Sequence, residues 1–187
     1  MSPKSLKRKA LDGLSWTAVS SLIVSVIQFL QIAILARFLT SEDFGLLAII
    51  MVVLGFSQLF VDFGISNAII HKKEINSSQL STLYWINVIS GFMLFCVVFL
   101  LSPYISSFYD NPLLREYIIL MSITFLIQPF GQQFMILLQK ELKFDLIAKV
   151  EILSKVITLI FVVYFAYLGF ALYSLIIGLL VGVLLRT

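Results

Sequence analysis

AILARFLTSEDFGLL, Ala33 to Leu47, places Arg37, Glu42 and Asp43 between two long apolar runs. The run before it, Leu14–Ala36, and the run after it, Phe44–Ile69, each reach the roughly 20 apolar residues a helix needs to cross a bilayer. If both cross, the charged stretch is a tight hairpin on one membrane face. Its side then fixes the side of every later loop. A structural reading suffices for its letters: Ser41 or Thr40 caps the second helix, with Glu42 and Asp43 at that helix's positive N-terminal end.

Composition extends this reading to the whole chain. Of 187 residues, 60% are hydrophobic and 12% charged, and the mean hydropathy is +1.06. A soluble domain carries roughly 25% charged residues. With half of that, much of this surface must face something other than water. The net charge of +3 comes without a basic stripe interleaved with aromatics, so nucleic acid is not a predicted partner. The single cysteine, Cys96, lies in an apolar run and reads as a small buried hydrophobe. The single histidine, His71, has no second His or Cys nearby, so no metal site is expected. There is no GxxxxGK[ST] loop, nucleophile elbow, zinc spacing or potassium filter. The chain is not read as an enzyme, and no cofactor is expected.

Six apolar segments emerge, near 14–36, 44–69, 80–101, 117–138, 146–167 and 170–185. They are continuously apolar rather than alternating, which favours helices over a barrel, because backbone groups in hydrocarbon must be satisfied locally. The fold class expected is an all-α membrane protein, with residues 1–187 forming one six-helix bundle. The last segment is short, about 24 Å at 1.5 Å per residue against a core near 30 Å. The first is too long for a signal peptide and lacks a small-residue cleavage site.

Loop charges give the orientation. Counting alternately, one side receives Lys4, Lys7, Arg8, Lys9, Lys72, Lys73, Lys140, Lys143, Lys149 and Arg186, and the other only Arg37 and Arg115. This predicts cytoplasmic termini and an outward Arg37–Asp43 hairpin. The longest outward loop, Ser102–Glu116, carries turn signals at Pro103 and Asn111-Pro112. The Asn76-Ser77-Ser78 sequon falls on the cytoplasmic side and is discounted.

Polar residues within the spans are the functional candidates, since they are costly in hydrocarbon. On the first helix Ser21, Ser25 and Gln28 share a face, with Gln31 nearby. That face either lines a hydrophilic cavity or packs against another helix. Asp62, before Gly64, is a gate or coupling carboxylate or else an interfacial charge. Gln128-Pro129-Phe130-Gly131-Gln132-Gln133 predicts a kink, with Gln128 and Gln132 either lining a path or serving packing. In the fifth segment Asp145–Lys149 and Glu151–Lys155 are acid-then-base i,i+4 pairs. Glu151 lies about 8 Å and Lys155 about 14 Å into the helix. Lys155 either snorkels to the surface or faces the interior to meet an anionic group.

Three motifs, LARFLTSEDFGLLAI (35–49), VDFGISNAII (61–70) and LLQKELKF (137–144), together with SFYDNPLL (107–114), resemble the N-terminal half of bacterial polysaccharide and O-antigen exporters. These are lipid-linked oligosaccharide flippases of the superfamily that also holds multidrug antiporters and the lipid II flippase. The resemblance covers almost the whole chain. It implies two six-helix bundles (12–14 helices in all) around a central cavity with alternating access, of which this chain supplies one as a piece of a longer protein; a dimer of six-helix chains is the alternative. It implies an undecaprenyl-diphosphate-linked repeat unit as cargo, in the bacterial inner membrane. Membrane lipids, a polysaccharide polymerase and glycosyltransferases are the implied partners. Gln28, Gln31, Gln128, Gln132 and Lys155 would line the substrate cavity, and Arg37, Asp62 and Glu151 would gate or couple. Where the lipid II flippase carries arginines on its first helix, this chain offers Gln28 and Gln31, with Arg37 and Lys155 as the available cations. A multidrug or organic-cation antiporter would need a buried carboxylate, for which Glu151 and Asp62 are poor candidates. A non-transporting membrane scaffold is the reading from another class.

Overall fold

The computed structural model describes residues 3–61 and 77–187. Within them the chain is helical and no strand forms. The helices are α1 (Pro3–Leu35), α2 (Ser41–Val61), α3 (Ser77–Phe108), α4 (Pro112–Ser122), α5 (Thr124–Lys140), α6 (Phe144–Tyr167) and α7 (Ala171–Arg186). Asp62, most of VDFGISNAII and Asn76 lie outside the described residues. Among the described residues, four stretches are long and apolar enough to cross a bilayer: Gly13–Leu35, Ser41–Gln58, Gln79–Phe108 and Pro112–Lys140, the last spanning α4 and α5. The chain is an all-α, multi-pass membrane protein. The expected fifth and sixth segments are the helices α6 and α7.

α4 and α5 form the centre of the packing. The stretch they make up is buried within the chain far more than the apolar stretches of α1, α2 and α3. Leu114, Ile118, Met121 and Phe125 recur at helical spacing and meet Leu172, Leu175 and Ile176 of α7, Leu46 and Ile50 of α2 and Val98 of α3. α1 packs along α6, and α6 along α7. The α6–α7 seam is close because α7 carries Gly178 and Gly182, four residues apart, facing Val162 and Thr158. Such small-xxx-small spacing lets membrane helices approach.

The loop between α3 and α4 is shorter than the turn signals suggested. α3 continues through Pro103 to Phe108. Proline removes the N–H that would bond the Phe99 carbonyl, and the Ser102 hydroxyl donates to that carbonyl instead, at 2.7 Å. α5 is continuous through Pro129, where the sequence predicts a kink, and a separate interruption falls at Ile123, between α4 and α5. On either side of it, Ser122 donates to the Ile119 carbonyl and Thr124 to the Met121 carbonyl, each at 2.7 Å. Hydroxyls that back-bond in this way compete with the helix ladder and bend it.

Candidate functional site

The hairpin at Ala33–Leu47 is built by a reciprocal cap. The Thr40 N–H and hydroxyl both donate to Asp43 Oδ2, at 2.9 and 2.8 Å, and the Asp43 N–H returns to Thr40 Oγ1 at 3.3 Å. This is a capping box with aspartate at the third helical position. Leu39, just before the cap, is buried in the core, and Phe44, just after the box, packs against the same core. The pair has the arrangement of a hydrophobic staple that sets the chain's entry into the helix. Arg37 is exposed beside it.

The other turns are equally specific. After α3, the Asp110 N–H bonds the Ser107 carbonyl and the Asn111 N–H bonds the Ser106 carbonyl, with Asp110 at φ +50°. This is a Schellman motif. Asn111 then caps α4, its side chain accepting from the Leu113 N–H, with Pro112 at the first helical position. Gly169 after α6 (φ +85°) and Leu142 after α5 (φ +59°) end their helices by the same pair of bonds. SFYDNPLL and LLQKELKF therefore encode helix–turn–helix corners.

The membrane-embedded candidates fall into three groups. On α1, Ile27, Gln31 and Leu35 are buried in the seam with α6, whereas Ser21, Ser25 and Gln28 are exposed. At 100° per residue these three lie about a quarter-turn round from the seam. Among the described residues, no neighbouring helix covers them. Beyond them the helix surface is apolar, with Leu22, Val26 and Phe29 exposed. α1 thus presents a packing seam, then a polar strip, then a lipid-like face.

The second group joins α3 to α5. Asn87 Nδ2 donates to Gln132 Oε1 at 3.1 Å, and Gln133 donates to the Leu80 carbonyl at 3.0 Å. Gly91 makes room here, since a Cβ on it would collide with the Phe125 carbonyl and the Pro129 ring. Gln128, one turn before Gln132, is half-buried. Asn87 is itself almost wholly buried, and its Oδ1 accepts no hydrogen bond. Sequence reading missed it, although its position one turn before Gly91 in an apolar span was a usable signal.

The third group is charged. Lys155 and Glu151 are both half-buried on α6, and Lys155 lies within electrostatic reach of Arg186 as well as Glu151. Asp145 and Lys149 make the anticipated i,i+4 pair at 3.8 Å. Lys149 also stands over the Trp16 ring at 6.0 Å, tying α6 to α1. At the opposite end, Tyr173 donates to Glu116 at 2.8 Å and packs edge-on to Tyr117, joining α7 to α4. The glutamines do not converge within this chain, because α1 lies against α6 and α5 against α3. Among the described residues, no His/Cys/Asp/Glu group could hold a metal.

Residues 34–187 match a protein family described as polysaccharide biosynthesis protein. The chain belongs to this polysaccharide biosynthesis family. Within the family's reach, it is 45% identical over 150 residues to a Klebsiella pneumoniae protein called "Uncharacterized membrane protein in cps region", covering 80% of this chain and 31% of that one. It is 40% identical over 147 residues to the lipopolysaccharide biosynthesis protein WzxC of Escherichia coli (strain K12), covering 79% and 30%. It is 36% identical over 171 residues to the teichuronic acid biosynthesis protein TuaB of Bacillus subtilis (strain 168), covering 91% and 34%. The chain thus spans about a third of the length of the curated relatives it matches. No solved structure matches it.

Proposed function

We propose that this chain is one bundle of a two-bundle transporter that moves a lipid-linked oligosaccharide across the bacterial inner membrane by alternating access. The observation that carries the reading is the uncovered Ser21–Ser25–Gln28 strip of α1. Polar groups in a membrane helix seek a polar surface, and a water-filled cavity facing a second bundle supplies one. Family membership supports polysaccharide as the cargo class. Names among the relatives point the same way, including a succinoglycan biosynthesis transport protein of Rhizobium meliloti (strain 1021).

In this reading α6 and α7 are the fifth and sixth spans, both termini are cytoplasmic and the Thr40–Asp43 cap lies outside. Gln28, with Gln31 behind it, donates and accepts toward sugar hydroxyls. Gln128 and Gln132, apart from the α1 strip within this chain, contribute to the cavity from α5, with Gln132 Oε1 accepting from Asn87. Lys155 meets the diphosphate, and Arg37, Asp62 and Glu151 act as gating or coupling charges. No covalent step occurs. The glycosyltransferases act before the transfer and the polymerase after it.

The test uses cells making the full-length protein with Lys155→Ala or Gln28→Leu. At unchanged protein level, surface polysaccharide should fall about tenfold or more in Lys155→Ala, as expected for losing a charge-assisted contact of roughly 1.5–3 kcal/mol, and by a smaller factor in Gln28→Leu, which loses a neutral hydrogen bond of roughly 0.5–1.5 kcal/mol. Unchanged export in both variants would reject these roles.

A further inference from the structure

Proline at 129 has no N–H for the carbonyl four residues back, that of Phe125, and its ring crowds that carbonyl. In hydrocarbon, a carbonyl freed in this way must find its partner on a neighbouring element. Water does not serve, because Phe125 is only 2% exposed. Gly91 of α3 does. A Cβ on Gly91 would fall on the Phe125 carbonyl oxygen and against the Pro129 ring. The hydrogen that stands in place of that Cβ therefore points at the oxygen. This is the arrangement of a Cα–H···O contact between packed helices, and only glycine has a hydrogen at that position.

On the two sides of Pro129 the chain is held unequally. Before it, Leu114, Ile118 and Met121 of α4 and Phe125 of α5 sit in the hydrophobic core. Beyond it, α3 holds α5 through side chains. Phe130 meets Tyr84 edge-on, with ring centroids 6.4 Å apart. Gln132 accepts from Asn87, and Gln133 donates to the Leu80 carbonyl. This docked arrangement is incompletely satisfied. Asn87 Oδ1 is buried and takes no hydrogen bond from the described residues. A dry acceptor of this kind costs free energy, and it gains water when the α3–α5 seam parts.

We propose that Pro129 is a hinge held shut by Gly91, and that α5 beyond it swings away from α3 as the bundle changes the side to which it opens, a motion that rests on the alternating-access reading above. In the swung state the Phe125 carbonyl and Asn87 Oδ1 meet water. Gln128 and Gln132, which flank the hinge, then change the surface they present. On another face of α5, Gly131 abuts the end of α7 at Arg186 and Thr187, so that end shifts with it. Kinks at proline exceed about 20°. At residue 139, about 15 Å beyond the hinge, such a bend displaces α5 by roughly 5 Å or more.

The test uses the full-length protein carrying Cys96→Ser, with spin labels on Ser81→Cys and Gln139→Cys. Both positions are exposed, at the end of the seam where α3 begins and α5 finishes. Double electron–electron resonance in phosphatidylethanolamine–phosphatidylglycerol vesicles should give two distances separated by roughly 5 Å or more. Pro129→Ala returns an N–H to the Phe125 carbonyl and should leave only the shorter distance. Gly91→Ala drives a Cβ onto that carbonyl and should raise the share of the longer distance at least about threefold. Gln133→Leu, which removes the bond to Leu80, is the second loosening variant should Gly91→Ala fail to reach the membrane, with the same shift expected. One distance in the unmutated hinge, or two that Pro129→Ala leaves in place, would overturn the proposal. Surface polysaccharide, measured in parallel, should fall about tenfold in Pro129→Ala, and normal export by that variant would also overturn it. A single distance in a protein that exports normally rejects the hinge and leaves transport standing. Two distances that respond as expected in a protein that never supports export reject transport alone.

Discussion

Two side chains, Thr40 and Asp43, decide where a membrane helix begins. Between them they satisfy the Thr40 and Asp43 N–H groups at the start of α2. Thr40→Ala should lower stability by about 1 kcal/mol, read as an earlier transition in thermal unfolding of the detergent-solubilised protein. The glycines make a sharper contrast. Gly169 sits at φ +85°, where a side chain is strained, whereas a Cβ on Gly45 would meet open space. Gly169→Ala should therefore cost roughly 1–2 kcal/mol, and Gly45→Ala should leave stability unchanged or slightly improved. The same unfolding assay measures both. At this scale the sequence left Thr40 and Ser41 as equal candidates for the cap. Only the position of the Asp43 carboxylate separates them, and that depends on how Leu39 and Phe44 are buried.

Among the elements, α3 shows where local signals mislead. Pro103 reads as a turn, yet the helix passes it because the neighbouring Ser102 satisfies the carbonyl that proline leaves free. Conversely, the α4–α5 break at Ile123 had no obvious marker, since Ser122 and Thr124 are ordinary residues until their hydroxyls turn back onto the backbone. The mid-span glutamines were legible as unusual, but not by partner. Gln132 is held by Asn87, and Gln133 by the Leu80 carbonyl. A double-mutant cycle with Asn87→Leu and Gln132→Leu should give a coupling of roughly 0.6–2 kcal/mol, the range for interhelical hydrogen bonds in membranes. Strictly additive losses would mean that this bond contributes nothing to holding α3 on α5.

Across the molecule, run length and charge were enough to foresee membrane helices; six apolar segments were expected, and among the described residues four stretches are long and apolar enough to cross a bilayer. The packing order was not foreseeable. Which helix lies beside which depends on details such as Gly178 and Gly182 opening a seam for Val162 and Thr158, and apolar periodicity carries no such information. Orientation rests on the ten-to-two split of loop cations. Single cysteines at Ser41 and Lys143, both exposed at helix ends, should label from opposite sides of the membrane, and labelling from one side would contradict the topology. The central claim is that α1's polar strip faces an aqueous path. It is tested most directly in the full-length protein, with Cys96→Ser as background, by single cysteines at 21, 25 and 28 and at 22, 26 and 29. Each is challenged in intact membranes with a water-soluble, membrane-impermeant thiol reagent. The account predicts reaction at 21, 25 and 28 and silence at 22, 26 and 29; silence at all six, or equal reaction at all six, would contradict it.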